Sequence, residues 1–278
     1  MPGSVRGWHG DSMTTAQLTG RVALVTGASQ GIGAALAEAF ATAGAAVVIM
    51  ARRAERLAEV ERRIAGRGGR VRSFAGDVRE ESAARGAVEA ALADFGRLDI
   101  AVNNATDGPP LRLLAELAAD DFRRGIEVDL LGTFLGMRHQ IPAMIDSGGG
   151  AIVNLASVAA IGGVSHLSSY VAAKSGVIGL SRTAALDHAP QRVRVNVVAP
   201  GPILTEHLIA AGPAAQQGAA AAVPLGRVGT TLDVTAAVLW LCSDDASFVT
   251  GVTLPVDGGQ SAGTRLDDPY TPGESPAS

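Results

Sequence analysis

Close to the amino terminus the chain reads Val22-Ala23-Leu24-Val25-Thr26-Gly27-Ala28-Ser29-Gln30-Gly31-Ile32-Gly33. Val22–Thr26 is a short apolar, β-branched run of strand length. Gly27 permits a tight turn out of that strand. Gly31 and Gly33 carry no Cβ where the backbone must approach a pyrophosphate, or the next helix must approach the sheet. The glycine spacing is G-x-x-x-G-x-G rather than the more familiar G-x-G-x-x-G. Strand, glycine turn and helix nevertheless follow in that order, so the stretch reads as a nucleotide-binding turn opening an α/β domain.

Working outward, short β-branched runs alternate with longer alanine-rich helical patterns. The strand candidates are Val22–Thr26, Ala46–Met50, Arg70–Phe74, Ile100–Asn103, Ala151–Leu155, Val193–Val198 and Thr253–Val256. Most are apolar throughout, as expected of parallel strands covered on both faces. Helix candidates are Ile32–Ala43, Glu55–Ala65, Glu81–Phe95, Asp120–Ile145, Ser169–His188 and Leu232–Ser243. The alternation predicts a single doubly wound Rossmann-type α/β domain, with a seven-stranded parallel sheet and helices on both faces. Right-handed crossovers then gather the loops after the strands on one edge, where ligands bind. The expected organisation is a flexible arm over 1–18, a dinucleotide-binding and catalytic domain over 19–260 and a loose tail over 261–278. Met13 is a second candidate start. The Ala/Gly/Gln-rich segment 202–227, bracketed by Pro202, Pro213 and Pro224, breaks the pattern and is read as a lid over the substrate.

The chain has 278 residues, 47% of them hydrophobic and 35 of them glycine, enough apolar material for a large core. A net charge of −4 gives no electrostatic case for nucleic-acid binding. The single cysteine, Cys242, rules out an intramolecular disulfide and suits a reducing cytoplasm; its apolar neighbours mark it as core. No apolar run reaches the ~18 residues of a membrane span. No His/Cys cluster offers a metal site.

Tyr170 and Lys174 stand four residues apart in Ser168-Ser169-Tyr170-Val171-Ala172-Ala173-Lys174, and Ser157 lies a short loop upstream. On a helix that spacing stacks phenol and ammonium on one face. A neighbouring cation favours the phenolate, which prepares Tyr170 to pass a proton to or from an alcohol or carbonyl oxygen. With the nucleotide-binding turn, this points to hydride chemistry on a C–O bond.

These motifs together resemble the short-chain dehydrogenase/reductase family, in its single-domain branch. The resemblance runs from about Leu18 to Gly259. It adds Gly76-Asp77-Val78, Asn103-Asn104-Ala105, Pro200-Gly201 and Asp257-Gly258-Gly259 to the glycine turn, Ser157 and the Tyr170/Lys174 pair. By resemblance, Tyr170 is the acid/base, Lys174 tunes it and binds ribose hydroxyls, and Ser157 orients the substrate oxygen. The turn residues Gly27, Ser29, Gln30, Gly31, Ile32 and Gly33 hold the cofactor. Asp77 and Val78 sit beside its adenine, Asn103 and Ala105 line its middle, and Pro200, Gly201, Ile203 and Thr205 touch its nicotinamide end. Relatives that use NAD carry an acid after the second strand; here Ala51 takes that place, followed by Arg52 and Arg53. That favours NADP(H) over NAD(H), with Arg52 able to pair with the 2′-phosphate.

Two positions depart from the family pattern. Thr106 stands where a glycine usually follows Asn103-Asn104-Ala105, and Asp129 replaces an asparagine that the family counts among its catalytic residues. An ionised aspartate accepts hydrogen bonds but donates none, so the usual proton relay is altered at Asp129. Thr106, Ser157, Val158, His166, Leu167, Tyr170, Pro202, His207 and Leu208 are the expected substrate contacts. The expected reaction interconverts a ketone and a secondary alcohol, on a hydrophobic or cyclic compound. The alternative is a relative that keeps the fold for non-redox work, as a lyase, cyclase or epimerase, or as an NADP(H)-sensing protein. The resemblance also implies a homotetramer, or a homodimer, with Phe134, Met137, Leu180 and Leu186 available to its interface.

Overall fold

The computed structural model describes residues 18–108 and 110–263. Of the expected arm over 1–18, residues 1–17 with Met13 lie outside the described residues, as does the expected tail beyond 263, while Leu18 is buried and its N donates to the Ala43 carbonyl. The strands are β1 Val22–Thr26, β2 Ala46–Ala51, β3 Val71–Ala75, β4 Ile100–Asn103, β5 Gly150–Leu155, β6 Val193–Pro200 and β7 Thr253–Val256. They form one parallel sheet in the order β3-β2-β1-β4-β5-β6-β7. Each predicted strand is present, with ends shifted by two residues or fewer. The helices are α1 Gly31–Thr42, α2 Ala54–Ala65, α3 Glu81–Phe95, α4 Ala119–Gly125, α5 Gly132–Asp146, α6 Ser168–His188, α7 Glu206–Ala210, α8 Pro213–Ala221 and α9 Thr231–Cys242.

Side-chain alternation along buried strands explains the two helical layers. Ala23, Val25, Val47 and Ile49 meet Leu36 and Phe40 of α1, Leu57 and Val60 of α2, and Val238 and Leu241 of α9. Their sequence neighbours Val22, Leu24, Val48 and Met50 face the other way, onto Val88 of α3 and Met137, Ile141 and Met144 of α5. Met137 is therefore core rather than interface, whereas Leu186 is 79% exposed. Strand order reverses between β1 and β4, which opens a crevice at their carboxyl ends.

The predicted helix Asp120–Ile145 is not one regular helix. α4 and α5 are joined by a π-helical turn over Ile126–Leu131. The wider turn leaves Val128 and Asp129 buried, and Thr133 Oγ1 donates to the Asp129 carbonyl at 2.8 Å. Apolar periodicity cannot register a single wider turn, although such turns concentrate at functional sites. The segment 202–227 also holds more order than its composition predicts: it contains α7 and α8, and is tied down by buried Ile203, by Val223 and by the Ile203–Gly229 bridge.

At the opposite, amino-terminal edge of the strands, Asp99 is fully buried. It accepts from Val22 N at 2.9 Å and from both Nε and Nη2 of Arg97 at 2.8 and 2.6 Å. A cavity of about 170 Å³ lies there, lined by Arg21, Arg97, Arg192 and Arg194 among others, away from Tyr170. Cys242 is buried, and burial pushes its thiol up to about 12.

α9 begins with a reciprocal cap. Asp233 N donates to Thr230 Oγ1 at 3.4 Å, and Thr230 N donates to the Asp233 carboxylate at 2.7 Å. Arg227, with help from the Thr230 donors, holds the Asp233 carboxyl well below the usual carboxylate range. A depressed carboxyl contributes stability above its unfolded value of ~3.9, and that contribution is lost as pH falls through its folded value. Thr230→Ala is expected to lower unfolding free energy by about 1 kcal/mol, measured by urea denaturation at neutral pH. An unchanged midpoint would mean the cap is redundant with the packing of α9.

Candidate active site

The crevice collects the loops that follow β1, β2, β4, β5 and β6. Gly27 and Gly31 hold positive φ of 66° and 57°, a region that disfavours any residue with a Cβ. A Cβ on Gly33 would run into the Gly27 carbonyl and the Asn104 amide. Asn104 clamps the turn, with Nδ2 donating to the Thr26 and Gly27 carbonyls at 3.1 and 3.3 Å. Nitrogens of Asn104 and Ala105 donate to Thr26 Oγ1 at 3.1 and 3.3 Å. The turn is thus a cradle kept free of side chains at the start of α1, as a diphosphate requires.

Beyond β2, the two arginines differ. Arg53 Nη2 donates to Gln30 Oε1 of the glycine turn at 2.6 Å. Arg52 reaches across the crevice to Asp107, 3.9 Å away. Asp77 bonds its own neighbour Arg79 at 2.8 Å, which holds its carboxyl below the usual range. Val78 packs where a Cβ on Gly132 would fall. Asn103 sits at the predicted place, but its side chain turns inward. Its Nδ2 donates to Gln140 Oε1 at 3.0 Å and to Asn154 Oδ1 at 2.8 Å; Asn154 in turn donates to Ser181 Oγ at 2.8 Å. Only the Asn103 main chain is left for a ligand.

Tyr170 lies in the first turn of α6, half-buried, and Lys174 stands one turn on, buried. Lys174 Nζ is 5.6 Å from the Tyr170 ring centroid and donates to the Leu155 carbonyl at 2.9 Å. It is also 2.9 Å from Asp129 Oδ1. Both Asp129 oxygens are buried with no other partner, so the carboxylate is compensated by this ion pair alone. Burial works against the Lys174 charge, but Asp129 and then Tyr170 outweigh it and raise Lys174 above its ordinary range. Ser157 follows β5 and caps a short 3₁₀ turn, its Oγ accepting from Ala159 N at 3.2 Å.

Tyr170 and Asp129 line one small cleft with Asp107, Asp121 and Arg124. Arg124 bridges the two acids at 3.0 and 3.2 Å. Of the expected substrate contacts, Thr106 is exposed, Val158 and Leu167 are half-buried beside Ser157 and α6, and Pro202 and Leu208 are half-buried in the segment 202–227. His166 has φ +66° and its carbonyl accepts from Arg112 N; His207 is exposed on α7. Pro200 ends β6 and Gly201 follows it, packed so that a Cβ would meet Asp257. Ile203 is buried, and Thr205 lies over Gly31.

The residues missed by sequence reasoning are Asn104, Gln140, Asn154, Asp107 and Arg124. Their partners lie up to 78 residues away, so no local spacing marks them. One signal was available for the Tyr170/Lys174 pair: Lys174 is the only lysine among 23 Lys and Arg residues.

A family model described as enoyl-(acyl carrier protein) reductase matches residues 27–261. The chain belongs to the short-chain dehydrogenase/reductase family. It is an oxidoreductase of that family, whose dehydrogenases use NAD(P)(H). It is 44% identical over 243 residues to cis-4-hydroxycyclohexanecarboxylate dehydrogenase of Sinomonas cyclohexanicum, spanning 87% of this chain and 97% of that one. It is 41% identical over 238 residues to cyclohexanol dehydrogenase of Acinetobacter sp. (strain SE19), spanning 86% and 94% respectively. A solved short-chain type dehydrogenase/reductase from Mycobacterium ulcerans superposes with a TM-score of 0.85 at 32% identity, covering 88% of this chain and 91% of that one. No helix among the described residues is long and apolar enough to cross a membrane.

Proposed function

We propose that the chain is an NADP(H)-dependent oxidoreductase that interconverts a cyclic or otherwise hydrophobic ketone and its secondary alcohol, with Tyr170 as acid/base. The observation that carries the reading is the meeting, on one sheet edge, of a glycine cradle and a phenol backed by a buried ammonium. Relatives named for cyclohexanol and hydroxycyclohexanecarboxylate support a cyclic substrate.

The cradle of Gly27, Ser29, Gln30, Gly31, Ile32 and Gly33 would hold the diphosphate, with Asp77, Val78, Ala105, Gly201 and Thr205 along the rest of the dinucleotide; a nicotinamide held there would supply the hydride in reduction and take it up in oxidation. Tyr170 protonates the carbonyl oxygen in reduction and removes the hydroxyl proton in oxidation. Ser157 Oγ donates to the same oxygen and orients it. Lys174 supplies a fixed positive charge next to the phenol. Exposed Leu111, Leu113 and Leu114, in the loop after β4, with Val164 and Ile209, give the mouth an apolar rim that suits a hydrophobic ring.

The phosphate preference rests on Arg53. Its contact is the neutral Gln30 amide on the glycine turn, whereas Arg52 already faces Asp107. Arg53→Ala is expected to raise KM for NADPH about tenfold and to leave KM for NADH nearly unchanged, since a charge-assisted phosphate contact contributes on the order of 1.5–3 kcal/mol. Equal effects on the two cofactors would assign no phosphate contact to Arg53.

The test of the whole reading follows nicotinamide absorbance with purified protein, NADPH or NADH, and cyclic ketones, diketones, quinones and an enoyl thioester. Turnover of a cyclic ketone with NADPH supports it. Tight NADPH binding with no oxidation by any carbonyl would replace it with the non-redox alternative, and turnover of the enoyl thioester alone would replace it with C=C reduction.

A further inference from the structure

We infer that Asp129 is a counter-ion built into the active site: it holds Lys174 protonated and cancels most of that charge at Tyr170. Proton removal by Tyr170 then needs more alkaline solution than a neutral side chain at position 129 would require. The catalytic consequence rests on the function proposed above; the charge arrangement does not.

The geometry is that of a closed pair. Asp129 is 1% exposed and Lys174 2% exposed. The carboxylate lies 2.9 Å from Nζ, whereas the phenol ring centroid lies 5.6 Å away. The aligned hydrogen bond of Nζ goes to the Leu155 carbonyl, and neither Asp129 oxygen accepts one. Asp129 therefore has Lys174 as its compensation, and Lys174 has Asp129 as its only carboxylate partner among the described residues. A lone buried ammonium acts on its surroundings as a full charge; an ammonium touching a carboxylate acts as a dipole, whose field falls faster with distance. The π-helical turn is what delivers Asp129 to this position, and Gly125 just before it packs against Ser169 of α6.

Most other charges near Tyr170 form their own pairs; Arg112, in the loop after β4, is exposed and its guanidinium bonds the Leu111 carbonyl. Arg124 of α4 bridges Asp121 of α4 and Asp107 of the loop after β4. Asp120 and Arg123 of α4 pair with each other. Glu127 of the π-turn faces Arg79, 4.0 Å away. On α5, Arg138 and His139 meet Glu81, and Asp146 lies at the far end of the helix. Arg194 of β6 binds the carbonyls of Val249 and Ser243 at the opposite sheet edge. Arg182, Asp187 and His188 lie two or more turns down α6 from Lys174, and His166 is exposed in the loop before it. The balance at the phenol is thus set by Lys174 and Asp129.

In the reduction direction the phenol must carry its proton, a state that a neutralised Lys174 does not oppose. In the oxidation direction the proton must leave, and the acid limb of the rate profile moves upward.

The chain offers a direct test, because its only tyrosines are Tyr170 and Tyr270 and its only lysine is Lys174. Tyr270→Phe leaves one phenol, whose ionisation is read from near-ultraviolet phenolate absorbance. Lysine labelled with ¹⁵N gives one side-chain ammonium signal. Both are recorded against pH, without cofactor, in the Tyr270→Phe protein and with Asp129→Asn added. The expected result is that Asp129→Asn lowers the phenolate midpoint by about one pH unit, the smaller end of the effect of a nearby charge, and that Lys174 loses its proton at lower pH. A phenolate midpoint that is unmoved or higher overturns the inference, as does a Lys174 signal that does not respond. Should Asp129→Asn fail to fold, the Tyr270→Phe protein alone decides: a phenolate midpoint at or above the ordinary ~10 supports the inference, and one below it overturns it. The pH profile of kcat/KM for cyclohexanol oxidation is then measured, its acid limb expected to move with the phenolate midpoint. Titrations as expected with no turnover of any alcohol would leave the counter-ion standing and remove the proposed function. Turnover with unmoved titrations would do the reverse.

Discussion

Tyr170→Phe is expected to bind NADPH as the unmodified protein does and to lose about 10³-fold in kcat, the range of a positioned general acid/base. The ring is half-buried at the start of α6, and its packing is kept by phenylalanine; only the hydroxyl is removed. A matched unfolding midpoint and an unchanged dissociation constant from NADPH fluorescence would show that fold and cradle are intact. Residual turnover within tenfold of the unmodified protein would move the proton transfer to another group, with Ser157 the next candidate. In reduction the alkoxide that develops on the substrate would otherwise have Ser157 Oγ as its only hydroxyl donor, and a neutral serine is a poor proton source at neutral pH. That is why the effect falls on kcat more than on KM.

Lys174→Met is expected to destabilise the fold by about 3 kcal/mol, because removing one partner of a buried pair strands the other charge. Asp129 is 1% exposed and its oxygens accept no hydrogen bond, so nothing else compensates it. The double variant Lys174→Met/Asp129→Asn is expected to regain most of that loss, because the buried pair leaves as a unit. Urea midpoints of the parent, Lys174→Met, Asp129→Asn and the double variant give the coupling directly. A single variant as stable as the parent, or a double variant no better than the single, would show that Asp129 is protonated or hydrated rather than paired. Activity should stay low in both variants, since each lacks the Lys174 ammonium. The pH sign follows from Lys174: a group raised in the folded state contributes stability that is complete below its unfolded value of ~10.4 and is lost as pH rises beyond it. Ordinary working pH therefore does not change this contribution.

Most of the sheet was legible because buried parallel strands are apolar on both faces, and runs such as Val22–Thr26, Ala46–Met50 and Ile100–Asn103 carry that composition locally. The helix over Asp120–Ile145 was legible as helix but not in its π-turn, since one extra residue in one turn leaves the apolar period almost intact. Met137 was ambiguous for a related reason: a large apolar residue on a helix suits core or interface equally, and only packing against the sheet decided for the core. Asn103 was placed correctly in the crevice, yet its amide turned to Gln140 and Asn154, partners 37 and 51 residues away. Arg52 was read as the partner of a 2′-phosphate, yet the crossing of β2 past the glycine turn sets Arg53 on Gln30 and leaves Arg52 toward Asp107.

The sequence by itself determined the α/β class, the glycine turn, the Tyr170/Lys174 spacing and the substitution of Asp129, because each is carried by residues within a few positions of one another, where chain geometry leaves little freedom. Only the tertiary structure decided what Asp129 does. A carboxylate 45 positions before Lys174 in the chain becomes its counter-ion because α4, the π-turn and α6 pack against each other and exclude water from the contact. In water that pair would count for little; at 2.9 Å inside the fold it sets the charge that Tyr170 meets.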